Sequence, residues 1–148
     1  MSRSHTRSEN GKNVCVNPQE IEGKLKMAGI QPTAQRIAVC RYVLCEADHP
    51  TAEDVKKWAD INFPKLSLAT VYNTLNVLVR AGLLREFRFP HSDKVFYDQN
   101  VEHHYHFLNE DTGAITDLSP AQVEVSLRNL ADGYRINDIN VVVSGSTL

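Results

Sequence analysis

The densest group of metal-binding side chains is His103-His104-Tyr105-His106. Successive side chains on a strand alternate between its faces, so His104 and His106 share one side and both imidazoles reach a common point, while His103 turns away. Asp117 stands on the next predicted strand, beyond a turn at 110–113, and a hairpin would bring its carboxylate to the same place. Asp98 lies where an earlier hairpin ends, and His49 lies in a loop ahead of a helix. Three imidazoles and two carboxylates without a thiolate make a nitrogen and oxygen donor set, suited to Fe2+, Mn2+ or Zn2+ in that order. Taken alone, His49 reads more readily as a capping or surface residue than as a ligand, and His5 and His91 read as surface histidines. Cys15, Cys40 and Cys45 form an odd set with no C-x-x-C pair. That spacing predicts neither a disulfide framework nor a thiolate zinc site, with Cys40 and Cys45 packed in the core.

The elements that must position these ligands can be read from hydrophobic spacing. Residues 1–16, rich in Ser, Arg, Asn and Gly, predict a flexible tail. A first helix starts at Pro18, with Ile21, Leu25 and Ala28 on one side, and stops at Gly29. Thr33 caps a second, striped by Ile37, Cys40 and Leu44. Thr51 opens a third, supported by Glu53 and Asp54 in its first turn, with Val55, Trp58, Ala59 and Ile61 as apolar positions before Pro64. Ser67 caps a fourth that ends at Gly82. Its apolar face is Val71, Leu75, Leu78 and Val79, and the opposite face carries Tyr72, Asn73, Asn76 and Arg80, which are polar and not acidic, as a DNA-facing surface requires. Ser67, Thr70 and Arg36 join them as candidate DNA contacts. Segments 83–89 and 94–97, joined by Pro90-His91-Ser92-Asp93, predict a hairpin, so that helices followed by a hairpin give the winged-helix order.

A second unit begins near Asn100. Two strands around the turn at 110–113 precede a predicted helix that starts at Ser119-Pro120, with Val123, Leu127 and Leu130 as its stripe, and ends at Gly133. Ile136 to Val143 predicts a third strand. A unit this small buries its apolar surface best in a dimer interface. The predicted class is α+β: a flexible tail over 1–16, an N-terminal winged-helix DNA-binding domain over 17–98 and a small α/β dimerisation domain over 99–148.

Charge divides the same way. Residues 1–92 hold 13 Lys and Arg against 9 Asp and Glu, a net +4, whereas residues 93–148 hold 3 against 9, a net −6. A basic front half and an acidic, histidine-bearing back half point to separate tasks. The chain has 148 residues and 42% apolar content, with no run near the roughly 20 apolar residues of a membrane helix. With no apolar run near the start, a secretory signal is not expected, and the predicted location is the cytoplasm without membrane association.

Several motifs in order, Gln31-Pro32-Thr33-Ala34-Gln35-Arg36, His49-Pro50-Thr51-Ala52-Glu53, Ser67-Leu68-Ala69-Thr70-Val71-Tyr72-Asn73-Thr74-Leu75, Ala81-Gly82-Leu83 and His103-His104-Tyr105-His106, resemble the ferric uptake regulator family from about residue 20 onward. The resemblance implies a homodimeric repressor that binds a palindromic double-stranded DNA operator, with a divalent metal setting its DNA-competent shape. It implies His49, Asp98, His104, His106 and Asp117 as the ligands, for Fe2+ or Mn2+, with Zn2+ as a substitute in vitro. Aspartate at both acidic positions resembles the peroxide-responsive repressors, where iron-sensing members usually carry glutamate, and this favours peroxide sensing over iron sensing of the Fur or Irr-like kind. Most members hold a structural zinc through two C-x-x-C pairs; Asn109 and Thr112 stand at the first pair here, so no structural zinc is expected. No Cys-Pro haem motif is present, and Tyr105 replaces the acidic residue that accessory metal sites use beside a residue such as His103. A mononuclear metalloenzyme is the alternative from another class, but no further cluster of convergent polar residues builds a substrate pocket, and the chain reads as a regulator and not an enzyme.

Overall fold

The computed structural model describes residues 15–148. Most of the tail expected over 1–16 therefore lies outside the described residues. These separate into two units, one ending at Val101 and one spanning Glu102–Leu148.

The first unit is built from four helices, α1 (Pro18–Met27), α2 (Ala34–Cys45), α3 (Ala52–Asn62) and α4 (Leu68–Arg80), followed by a hairpin of β1 (Arg85–Phe87) and β2 (Phe96–Asp98). Each helix starts at a side chain that accepts a hydrogen bond from the backbone N–H three residues on: Asn17 from Glu20, Thr33 from Arg36, Thr51 from Asp54 and Ser67 from Thr70. Each cap satisfies a donor that the helix geometry leaves unpaired. At α3 the contact is reciprocal, because the Thr51 N–H also donates to Asp54 Oδ2 at 3.0 Å, completing a capping box. Gly82 ends α4 at φ 74°, a conformation that glycine adopts without a Cβ clash. Ile21 and Leu25 of α1, Val39, Cys40 and Val43 of α2, Val55 and Ala59 of α3 and Val71, Leu75 and Leu78 of α4 form one buried cluster.

Some details depart from the sequence reading. Ile61 is 83% exposed, because it lies in the last turn of α3 off the stripe that Val55 and Ala59 present to the core. Ala28 is the exposed C-cap of α1 and no part of its stripe. Trp58 is half-buried and stacks on Tyr42 with ring centroids 4.2 Å apart. The cysteine reading is corrected more deeply. Cys45, expected to be a plain core thiol, is bonded to Cys15 as a disulfide, with Cα atoms 5.0 Å apart. Val16 packs against the core, so the described end of the predicted tail is held to the fold at both residues. Sequence spacing could not reveal this pair, because the chain path through α1 and α2 brings the two residues together. Cys40 is buried and free as expected.

The second unit is a three-stranded sheet of β3 (Tyr105–Asn109), β4 (Ile115–Leu118) and β5 (Val142–Gly145) in the order β4-β3-β5. β3 pairs antiparallel with β4 and parallel with β5. The Asn109 side chain closes the hairpin by accepting from the N–H groups of Asp111 and Thr112 at 3.0 and 3.2 Å. The helix predicted from Ser119-Pro120 to Gly133 does not form, and the connection from β4 to β5 is irregular. Short helices gain their stability from packing an apolar face, and here Leu127 and Leu130 remain 53% and 51% exposed. Asn129 and Gly133 also take positive φ, at 56° and 96°. The predicted strand over Ile136 to Val143 is likewise shifted, beginning only at Val142, where β3 offers backbone partners.

Leu75 is fully buried in the helical core, so Leu75→Ala is expected to lower unfolding stability by about 2–5 kcal/mol, whereas Ile61→Asn changes it by less than about 0.5 kcal/mol. Urea unfolding of the two variants beside the parent checks the contrast; equal losses would contradict the burial described.

Candidate metal centre and DNA-reading surface

In the first unit His49 occupies the loop between α2 and α3 with φ 44°, in the left-handed region that non-glycine residues seldom adopt. The Tyr97 N–H donates to the Pro50 carbonyl at 2.9 Å and fastens this loop to β2. His49 Nε2 then lies 3.3 Å from Asp98 Oδ2, with both side chains nearly buried. On the far side of the ring, Nδ1 lies 2.6 Å from Asp48 Oδ1, so an N–H donated there orients the imidazole with Nε2 toward Asp98. Phe87 meets the His49 ring edge-on at 6.0 Å. The other Asp98 oxygen, Oδ1, accepts the Asn100 N–H at 2.9 Å.

In the second unit strand alternation does what the spacing predicts. His104 and His106 are buried, and their Nε2 atoms face each other at 3.0 Å. Antiparallel register sets Asp117 opposite His106 and places Asp117 Oδ1 3.4 Å from His104 Nε2 and 3.6 Å from His106 Nε2. His104 Nδ1 lies 2.6 Å from the Glu102 carbonyl, so its N–H donates to that oxygen and its Nε2 carries the lone pair. Two nitrogens and a carboxylate oxygen thus converge on one point. A spacing of about 3 Å is what two ligands at right angles on one ion have when each bond is about 2.1 Å, so these residues fit a divalent metal. His103 is exposed, with Nε2 3.1 Å from the Tyr105 hydroxyl and away from this cluster.

The structure therefore brings His49 and Asp98 together in one unit and His104, His106 and Asp117 together in the other. Sequence reasoning missed the residues that orient them. Asp48 adjoins His49 in the chain, which was a usable signal, but the Glu102 and Pro50 carbonyls act through the backbone and have none.

The candidate DNA contacts sit on α4 as the helical period requires. Tyr72, Asn73, Asn76 and Arg80 are exposed, Ser67 is the N-cap and Thr70 is half-buried beside it. Arg36 extends from the first turn of α2, and its Nη1 donates to the Gln31 carbonyl at 2.9 Å. The Tyr72 O–H donates to Glu53 Oε1 at 2.9 Å, tying α4 to α3 through a contact between residues with no sequence relationship that would have revealed it.

A winged-helix unit followed by a small sheet-bearing unit, with histidine and aspartate clusters in both, defines the class of DNA-binding metalloregulators. The ferric uptake regulator family model matches residues 27–144, and the chain belongs to that family. It is 36% identical to the peroxide-responsive repressor PerR of Staphylococcus aureus strain Mu50 over 105 residues, 71% of this chain and 70% of that protein. Among solved structures it is similar to the ferric uptake regulator from Pseudomonas aeruginosa with manganese, at 25% identity and a TM-score of 0.59, covering 85% of this chain and 96% of that one. It is also similar to PerR from Streptococcus pyogenes, solved for peroxide sensing and gene regulation, at 26% identity and a TM-score of 0.51, covering 95% and 96%. The fold is thus α+β, an N-terminal winged-helix DNA-binding domain followed by a small dimerisation domain, and the relatives are transcriptional regulators, not enzymes. No helix among the described residues is long and apolar enough to cross a membrane.

The hydrogen bond to the Glu53 carboxylate, aided by slight burial and that group's negative charge, raises the Tyr72 phenol above its ordinary pKa of 10.0. Its contribution is complete below pH 10 and disappears as pH rises through the raised value. Burial, followed by the charges of Glu86 and other neighbours, pushes Tyr97 up to about 12. Glu53→Gln is expected to move one tyrosinate transition, monitored by ultraviolet absorbance, down toward 10 while the Tyr97 transition stays high. An unmoved spectrum would contradict the Tyr72–Glu53 bond.

Proposed function

We propose that the chain is a metal-dependent transcriptional repressor that senses peroxide through ferrous iron. The carrying observation is the convergence of His104 and His106 Nε2 with the Asp117 carboxylate, a donor set and spacing that fit one divalent cation. On this reading His49 and Asp98 complete the ligand set, Fe2+ or Mn2+ is the resident metal, and Zn2+ replaces either in vitro. With an ion bound, His49 and Asp98 of residues 17–98 would be tied to His104, His106 and Asp117 of residues 99–148, which would favour the dimer shape that meets both halves of a palindromic operator. Tyr72, Asn73 and Asn76 present hydrogen-bonding groups to base edges, while Ser67, Thr70, Arg36 and Arg80 face phosphates. The repressor works in the cytoplasm, where that DNA is.

Peroxide sensing draws support from the two aspartates and from the PerR relatives. When bound, ferrous iron would supply the redox chemistry toward hydrogen peroxide beside these ligands. The chain's own residues govern the outcome: His104 and His106 hold their Nε2 atoms toward the ion, and oxidation of either ring removes a lone pair and loosens both metal and DNA. Structural zinc is not part of this reading, because Asn109 and Thr112 stand where other members carry the first cysteine pair and Asn109 instead closes the β3–β4 turn. Iron sensing without peroxide chemistry is the rival that the likeness to the Pseudomonas aeruginosa regulator favours.

Hydrogen peroxide added to iron-loaded protein is expected to place an oxygen atom on His49, His104 or His106, seen by peptide mass spectrometry, and to abolish operator binding; manganese-loaded protein keeps both intact. Persistent DNA binding with unmodified histidines would give the site to iron sensing. Asp117→Ala is expected to weaken manganese binding at least about 100-fold with little change in unfolding midpoint, since Asp117 is partly exposed.

A further inference from the structure

We propose that Cys15 and Cys45 form a reversible dithiol–disulfide site that reacts with hydrogen peroxide independently of the metal centre. The two are joined with Cα atoms 5.0 Å apart, although 30 positions separate them, so the fold itself brings them into bonding range. A DNA-binding regulator works in the reducing compartment that holds its DNA, where structural disulfides are rare and bonded pairs are mostly transient and redox-sensing. Accessibility separates the three cysteines. Cys15 is exposed and Cys45, the last residue of α2, is half-buried, so solvent reaches the pair. Cys40 is fully buried, and burial pushes its thiol up to about 12, which keeps it protonated and inert.

These differences order the chemistry. The Cys15 thiolate attacks one peroxide oxygen, an S–O bond forms as the O–O bond breaks, and the leaving oxygen departs as water after taking a proton. The Cys45 sulfur then displaces the hydroxyl from the Cys15 sulfenic acid, forming the S–S bond and releasing a second water. One peroxide is reduced by two electrons and the two thiols are oxidised by two. A dithiol reductant reverses the bond by exchange. The bond fastens the chain ahead of α1 to the end of α2, four residues before His49.

The test uses the full chain, reduced and stripped of metal by a chelator, so it does not depend on the iron-based reading. Hydrogen peroxide is expected to remove two of the three thiols that alkylate after denaturation, to yield a Cys15–Cys45 linked peptide by mass spectrometry and to raise the melting temperature by several degrees, all reversed by dithiothreitol. Dimedone added with peroxide should label Cys15 in Cys45→Ser, while Cys15→Ser takes no label. Both positions lie outside the buried core, and circular dichroism confirms that the variants fold. An unchanged thiol count, a link through Cys40 or between chains, or equal labelling of the two variants would overturn the proposal.

Discussion

The Nε2 atoms of His104 and His106 and one Asp117 carboxylate oxygen lie within 3.6 Å of one another in the second unit, the spacing that ligands of a single divalent ion adopt. The backbone enforces the arrangement. Strand alternation puts His104 and His106 on one face, and the β3–β4 register sets Asp117 across from His106. The His104 tautomer is fixed by the Glu102 carbonyl, so the ring cannot relieve the crowding by turning its N–H inward without losing that bond. Asn109 holds the hairpin turn through two side-chain hydrogen bonds, which leaves the register no freedom to slip and carry Asp117 to the other face.

The first unit meets an analogous requirement with different means. His49 is held in a left-handed conformation that costs on the order of 1 kcal/mol or more, and such strain persists only where the surroundings determine it fully. The surroundings here are the Thr51 capping box at the start of α3, the Tyr97 to Pro50 bond and the Asp48 and Asp98 carboxylates on either side of the ring. The same helix start supplies Glu53, which holds Tyr72 on α4. His49 and Tyr72, candidate metal and DNA contacts, are therefore anchored to a single helix terminus.

Much of this was legible in the sequence because its signals are local. Asn17, Thr33, Thr51 and Ser67 mark helix starts through hydrogen bonds three residues long, and the histidine pair marks a strand face through a period of two. What could not be read depends on tertiary path. Cys15 and Cys45 meet only because α1 and α2 fold back on each other, and Tyr72 finds Glu53 across 19 positions. The segment after Ser119-Pro120 has a helical apolar pattern, yet pattern states only which residues could share a face. Leu127 and Leu130 remain exposed, and without a surface to cover them the helix loses its main source of stability.

The division of ligands sets a limit on the proposed switch. Three donors, already mutually placed, belong to the second unit, and two belong to the first. An ion can shift the balance between open and DNA-competent dimers only by the ratio of its affinities for them, and a ligand that binds both equally shifts nothing however tightly it binds. On the proposed reading, that ratio is what His49 and Asp98 would add to three donors able to bind in either state. A stronger second-unit cluster would raise metal affinity without improving control over DNA, whereas the restrained His49 loop, by presenting a fixed pair of donors with little left to order, increases the difference between the two states directly.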